Sequence, residues 1–123
     1  MHFDLKYYRI LVETPKEVFI MVIVNTPTIE GQAIRTLGLV NGNTVQSKNA
    51  FKDIGAGFKS MVGGELVSYT KMLAEAREVA LQRMIQQAQA LGADAVVNVR
   101  FSSASVMDGA AEILASGTAV KFV

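Results

Sequence analysis

The longest periodic pattern in the chain runs from Tyr69 to Leu91, where apolar and small residues recur at steps of three and four. That spacing predicts a helix with an apolar side. One stripe consists of Tyr69, Leu73, Ala76, Ala80, Met84 and Leu91, and a second, well round the cylinder, of Ala74, Leu81, Ile85 and Ala88. Lys71, Glu75, Glu78, Gln82, Gln86 and Gln89 remain as a wet face. Ser68 is placed to cap the start, and Gly92 stands where a left-handed residue would end the helix. At 1.5 Å per residue the helix is about 34 Å long, enough to cross a four-stranded sheet.

Elsewhere the pattern is that of strands. Leu5 to Glu13 is rich in aromatic and β-branched residues, and Thr14-Pro15-Lys16-Glu17 reads as a turn. Val18 to Asn25 is the strongest strand candidate. Its apolar run VFIMVIV invites aggregation at a bare edge, so it should be covered on both faces or paired with another chain. Thr26-Pro27-Thr28 breaks it. Ala33 to Ser47 is extended, with Gly38 and Gly42 at bends or bulges. Phe51 to Gly64 has apolar residues at helical spacing, which predicts a short helix weakened by glycine and ended by Gly63-Gly64. After the long helix, Ala95, Val97, Val99 and Phe101 alternate with Asn98, Arg100 and Ser102, giving a strand with one buried face. Ser103 to Gly109 reads as a loop, and Glu112 to Val123 as a closing strand.

The expected fold is α+β: a two-layer sandwich with one long helix on a mostly antiparallel four-stranded sheet, in the order β-β-α-β-β. One sheet covers about one helical stripe. The second stripe then calls for another surface, and the expected supplier is another copy of the chain.

Composition narrows the functional classes. The chain has 123 residues, half of them hydrophobic, and reads as one domain. Its 12 basic and 11 acidic residues leave a net charge of +1, and no two Lys or Arg are adjacent, which argues against nucleic acid as a partner. Charged residues interrupt the first twenty positions, so no signal peptide is expected. The longest apolar run, Val18 to Val24, is far too short for a membrane helix. With no cysteine there is neither a disulfide framework nor a thiolate ligand, which fits a cytoplasmic protein.

Several segments in order resemble the YbjQ-like family of small bacterial and archaeal proteins. They are Asn25 to Gly31, Phe51-Lys52-Asp53 with Gly57 and Gly63-Gly64, and Tyr69 with Ala76-Arg77 and Ala80. Ala90 to Val97 and Ala115 to Val120 complete the set. The resemblance covers about residues 21 to 123 and implies a two-layer α/β unit that assembles into a ring, usually a pentamer. Residues 1–20 precede the family's usual start, so they stand as an N-terminal extension, either an added strand or a leader ahead of a second start at Met21. The family also carries a heavy-metal-binding label. Soft metals want thiolate or imidazole, whereas this chain has no Cys and a single His, at position 2. No metal site and no cofactor are expected.

Among candidate ligand-binding residues, Thr26, Thr28 and Glu30 flank a proline-stiffened turn, where hydroxyls both donate and accept. Their structural alternative is a capped turn and a subunit seam. Lys52 and Asp53 precede a glycine-rich stretch that lacks phosphate-loop spacing; backbone amides there can still meet an anion, or glycine can serve close packing between copies. Arg83 and Gln87 are expected on the buried side of the helix, where an unpaired charge is costly. Glu65, Asp94 and Glu112 are the candidate partners for Arg83, and an anionic ligand is the functional alternative. Arg100 carries the same ambiguity. No catalytic residue is expected, because the one histidine leaves no credible base for a Ser-His-Asp arrangement.

The reading that results is a ring-forming, structural or ligand-binding assembly without chemistry of its own. It would hold a small polar or anionic ligand, or a protein partner, at subunit junctions. A carboxylate-based metal binder and, after it, an enzyme with carboxylates gathered at an interface (Glu30, Asp53 or Glu65) are the alternatives.

Overall fold

The computed structural model describes residues 2–3, 8–13, 18–47, 62–108 and 110–123. Strands β1 (His2–Phe3), β2 (Tyr8–Glu13), β3 (Val18–Ile23) and β4 (Ile34–Ser47) precede helix α1 (Val62–Ala90), and β5 (Ala95–Met107) and β6 (Ala110–Phe122) follow it. All six strands join one sheet in the order β1-β2-β3-β5-β6-β4, with α1 packed on one face. Every pairing is antiparallel except the short parallel contact of β3 with β5, through Val22 with Ala95 and Ile23 with Val96.

The sheet is wider than the four strands expected. Five strands have six residues or more, and β1 adds a two-residue rung. β2 lies within Leu5 to Glu13, a stretch that reads as a strand in sequence but falls in the N-terminal extension and is not counted among the four. Pairing with β3 along all six of its residues makes β2 a strand.

Helix α1 starts earlier than its periodicity suggested. Val62 to Ser68 are helical, so Ser68 does not cap the start and Gly63-Gly64 end nothing. The exit is as expected. Gly92 has φ 75°, its N–H donates to Gln89 O at 2.9 Å, and Ala93 N–H donates to Ala88 O at 3.0 Å. Those two bonds satisfy the Gln89 and Ala88 carbonyls, and glycine supplies the left-handed conformation they need.

One core cluster fills the space between helix and sheet. It joins Ala76, Ala80, Leu81, Met84, Ile85 and Ala88 of α1 to Ile10 of β2, Met21 and Ile23 of β3, and Val40, Val96, Val99, Ile113, Ala115 and Ala119. Most of each helical stripe is therefore buried within a single chain. Leu81 is 6% exposed and Ile85 1%, while Ala74 and Leu91, counted among the stripes, are exposed. Leu81, Ile85 and Ala88 of the second stripe are covered by the chain's own core, so they do not call for another copy.

A smaller cluster sits on the opposite face of the sheet. Ile29 folds down onto Ala95, Val97 and Val120, with Val22, Val24, Ile34 and Phe122 around it. The bend that begins at Asn25 thus covers the outer face of the sheet. At Asn98 the backbone turns left-handed, with φ 54°, and the β5–β6 register shifts between Val97 and Arg100. This bulge reverses the facing of the residues beyond it. Ala95 and Val97 belong to the outer cluster but Val99 to the helix-side core, which corrects the single buried face expected for that strand. The loop expected from Ser103 is instead a continuation of β5 as far as Met107, paired with β6.

Candidate functional site

Among the described residues β4 is the last strand of the sheet, so no described strand lies along its outer edge. Helix α1 lies close along it because position 42 is glycine. A Cβ there would come within 2.3 Å of both Ala80 O and Met84 N, and within 2.7 Å of Arg83 Cβ. This approach lets helical side chains reach the strand's free backbone groups. Asn41 N–H donates to Gln87 Oε1 at 3.0 Å, and Arg83 Nη1 donates to Asn43 O. Two edge groups that would otherwise face water or another strand are thereby satisfied.

Between strand edge and helix runs a groove of about 410 Å³, lined by Asn41, Gly42, Asn43, Arg83, Gln86, Gln87 and Ala90. The volume is within the range of small-ligand sites. Its lining offers amide donors and acceptors, one guanidinium and no carboxylate. Arg83 has donors beyond the one it spends on Asn43. The neighbouring carboxylates are bonded to groups other than Arg83, Glu112 to the lining residue Asn43. Glu112 Oε2 accepts from Asn43 Nδ2 at 2.9 Å, while Asp94 pairs with Lys121 at 3.4 Å and accepts from Phe122 N–H at 2.8 Å. Among the described residues the lining holds no thiol, imidazole or carboxylate, and its guanidinium and amides suit hydrogen bonding to a polar or anionic group.

The candidate residues are not gathered into one site. Arg83 and Gln87 are exposed at the helix flank, against the buried placement expected of them, because β4 ends the sheet beneath them. Arg83 meets a backbone carbonyl and none of the carboxylates Asp94 and Glu112. Thr26, Thr28 and Glu30 are exposed on the bend over the outer face, and Thr26 Oγ1 donates to Thr28 O at 2.7 Å. That bend is fastened by Asn98 N–H donating to Thr26 O at 2.8 Å and by Arg100 Nη1 donating to Asn25 O at 2.8 Å. Arg100 therefore holds backbone in place. Lys52 and Asp53, with the rest of the expected short helix up to residue 61 and the turn at 14–17, lie outside the described residues. Sequence reading passed over Asn41, Asn43 and Gln86. The one signal was Asn41-Gly42-Asn43, a glycine between two amides inside an otherwise well-formed strand.

Among known proteins, a family model described as "Putative heavy-metal-binding" matches residues 21–123. The chain belongs to this YbjQ-like family. YbjQ-like relatives include a UPF0145 protein of Clostridium novyi, 52% identical over 103 residues, which span 84% of this chain and all of that protein. Others are UPF0145 proteins of Thermosipho africanus, 59% identical over 82% of this chain and 94% of its own length, and of Methanosarcina acetivorans, 58% identical over 84% and 98%. A solved structure from Pediococcus pentosaceus, of a protein in the DUF74 family, superposes with a TM-score of 0.61. It is 12% identical and covers 84% of this chain and 98% of its own, a likeness of fold alone.

The donor set does not fit the heavy-metal description of the YbjQ-like family. The sequence holds no cysteine and one histidine. Among the described residues no three His, Cys, Asp or Glu come together as a ligand group. Soft cations select thiolate, thioether and imidazole; six methionines supply thioethers, of which Met21 and Met84 are fully buried as core filler, and the Arg83 groove presents a cation of its own. Among the described residues, no helix is long and apolar enough to cross a membrane.

Proposed function

We propose that this chain is a non-catalytic binding protein that assembles with copies of itself and holds a small polar or anionic ligand in the Arg83 groove. The observation that carries the reading is the groove itself: a guanidinium with spare donors, set among amides and without a carboxylate to neutralise it. An anion at this place gains charge-assisted hydrogen bonds and displaces no ion pair. The groove opens along the edge of the sheet, where a second copy would close it. Assembly as a ring, with five copies as the family resemblance implies, is part of this proposal, as is a cytoplasmic location.

The test is native mass spectrometry of gently purified protein, with and without EDTA, followed by calorimetry with inorganic phosphate and with acetate. A retained mass or a phosphate heat that disappears in Arg83→Ala, with the helical circular dichroism unchanged, supports the reading. A bare protein that takes up neither anion overturns the groove, and a bare monomer overturns the assembly. A retained mass that EDTA removes and that Arg83→Ala leaves in place would favour the metal-binding alternative.

A further inference from the structure

The bonds that hold α1 to β4 sort the donors and acceptors of the Arg83 groove. A backbone N–H can only donate, so the Asn41 N–H fixes the Gln87 amide with its oxygen toward the strand. Both Nε2 hydrogens of Gln87 are then unspent among the described residues. Arg83 gives Nη1 to Asn43 O and keeps its other N–H groups. The two residues are four apart on α1, so they stand side by side on one flank, with Cβ atoms about 5–6 Å apart. Their tethers, Asn41 and Asn43, are likewise two residues apart on β4. Two sets of N–H donors are thus held next to each other over the groove, each anchored by a bond to the strand.

Charge limits what these donors take. Among the described residues Arg83 is the one charged member of the lining. Asn43, also in the lining, donates Nδ2 to Glu112 Oε2 at 2.9 Å, which places a negative charge beside the groove. At the other end stands Ala90, the last residue of α1, where the carbonyl end of the helix carries partial negative charge and the last turn has no basic residue. Lys121 meets Gly92 O at 3.1 Å just beyond, but it is paired with Asp94. Helices meet phosphate at their N-terminal ends, opposite to the end found here.

We infer that the groove selects a small organic monocarboxylate over phosphate-like and sulfate-like dianions, with the carboxylate oxygens taken by Arg83 and Gln87. The planar guanidinium fork suits the two coplanar oxygens of a carboxylate. A second negative charge would meet Glu112 and the helix carbonyls without a second cation to balance it. The groove, about 410 Å³, is far larger than a carboxylate, and Asn41, Gln86 and Ala90 line the rest. The body of the ligand is therefore uncharged and able to hydrogen-bond to amides. This selectivity deepens the binding role proposed for the groove and rests on it.

The test titrates the isotopically labelled full chain with acetate, methanesulfonate and sulfate at equal ionic strength, following the Gln87 side-chain amide and the Asn41 backbone amide by NMR. Acetate is expected to saturate, to bind more tightly than methanesulfonate, and to bind about tenfold more tightly than sulfate. Gln87→Glu keeps an oxygen for the Asn41 N–H but removes the Nε2 donors, so acetate binding should be lost while exchange of the Asn41 amide stays slow. Sulfate or methanesulfonate binding as tightly as acetate would overturn the selectivity and leave the groove standing as a binding site. Acetate binding that survives Gln87→Glu would overturn the part given to Gln87, and with it the two-pronged grip on the carboxylate. Absence of a saturable shift with any of the three ions would overturn the selectivity and the groove reading together.

Discussion

Gly42 of β4 and Ala80 of α1 meet so closely that the position of a Gly42 β-carbon falls 2.3 Å from the Ala80 carbonyl oxygen. Met84 N lies at the same distance, so the obstruction is helix backbone, which cannot turn aside as a side chain can. Gly42→Ala is expected to push α1 off β4 and to cost about 2–3 kcal/mol, in the range of overpacked cores. Urea denaturation checks this. The variant should also lose the Asn41–Gln87 bond, visible as faster exchange of the Asn41 amide.

Leu81 and Ile85 distinguish burial within a chain from burial between chains. Both are covered by the chain's own sheet. Leu81→Asp or Ile85→Asp is expected to destabilise the folded chain by about 4 kcal/mol, because an unpaired carboxylate is placed in the core cluster that also holds Met21, Ile23 and Met84. The measurement is circular dichroism alongside mass. Loss of helix is the expected result, and dissociation into folded, stable monomers would mean that the second stripe faces another copy after all.

Asp94 ties the helix exit to the last strand by two kinds of bond of unequal weight. Its backbone N–H donates to Val120 O at 2.9 Å and its carboxylate accepts from Phe122 N–H at 2.8 Å, while the ion pair with Lys121 is half in water. Lys121→Ala should therefore cost only about 0.5 kcal/mol. Asp94→Ala strands the Phe122 amide and should cost about 1–2 kcal/mol. Equal losses in chemical denaturation would contradict this ranking.

Soft-metal binding gives the sharpest disagreement with the family's description. Titration with zinc or cadmium is expected to show no stoichiometric site, since thiolates are lacking altogether and the lone histidine is residue 2. A one-to-one complex that survives gel filtration would refute the donor-set argument.

Much of the architecture was legible in the chain, because it rests on local rules. Helical spacing from Tyr69, the Gly92 terminus, the apolar run at Val18 and the alternation after Glu112 each depend on neighbours within a few residues. Those signals established the α+β class, one long helix and its attachment to a mostly antiparallel sheet. The ordered segments from Asn25 to Val120 carried the family. Tertiary structure decided everything that depends on which strands become neighbours. Leu5 to Glu13 reads as a strand but was left outside the four-stranded unit as part of an extension, so the sheet was counted too narrow and the second stripe was assigned to another copy. Asn98 shifts the facing of β5 by a single left-handed residue, which no period-two count anticipates. Arg83 and Gln87 looked buried by helical angle alone. They are exposed because β4 happens to be the last strand, and the same fact leaves its edge groups for them to hold. The groove exists only where that edge and the helix flank meet, and its members, Asn41 to Asn43 and Arg83 to Ala90, stand some forty positions apart. Periodicity reports how a segment is shaped; the order of strands in the sheet determines what each face of it meets.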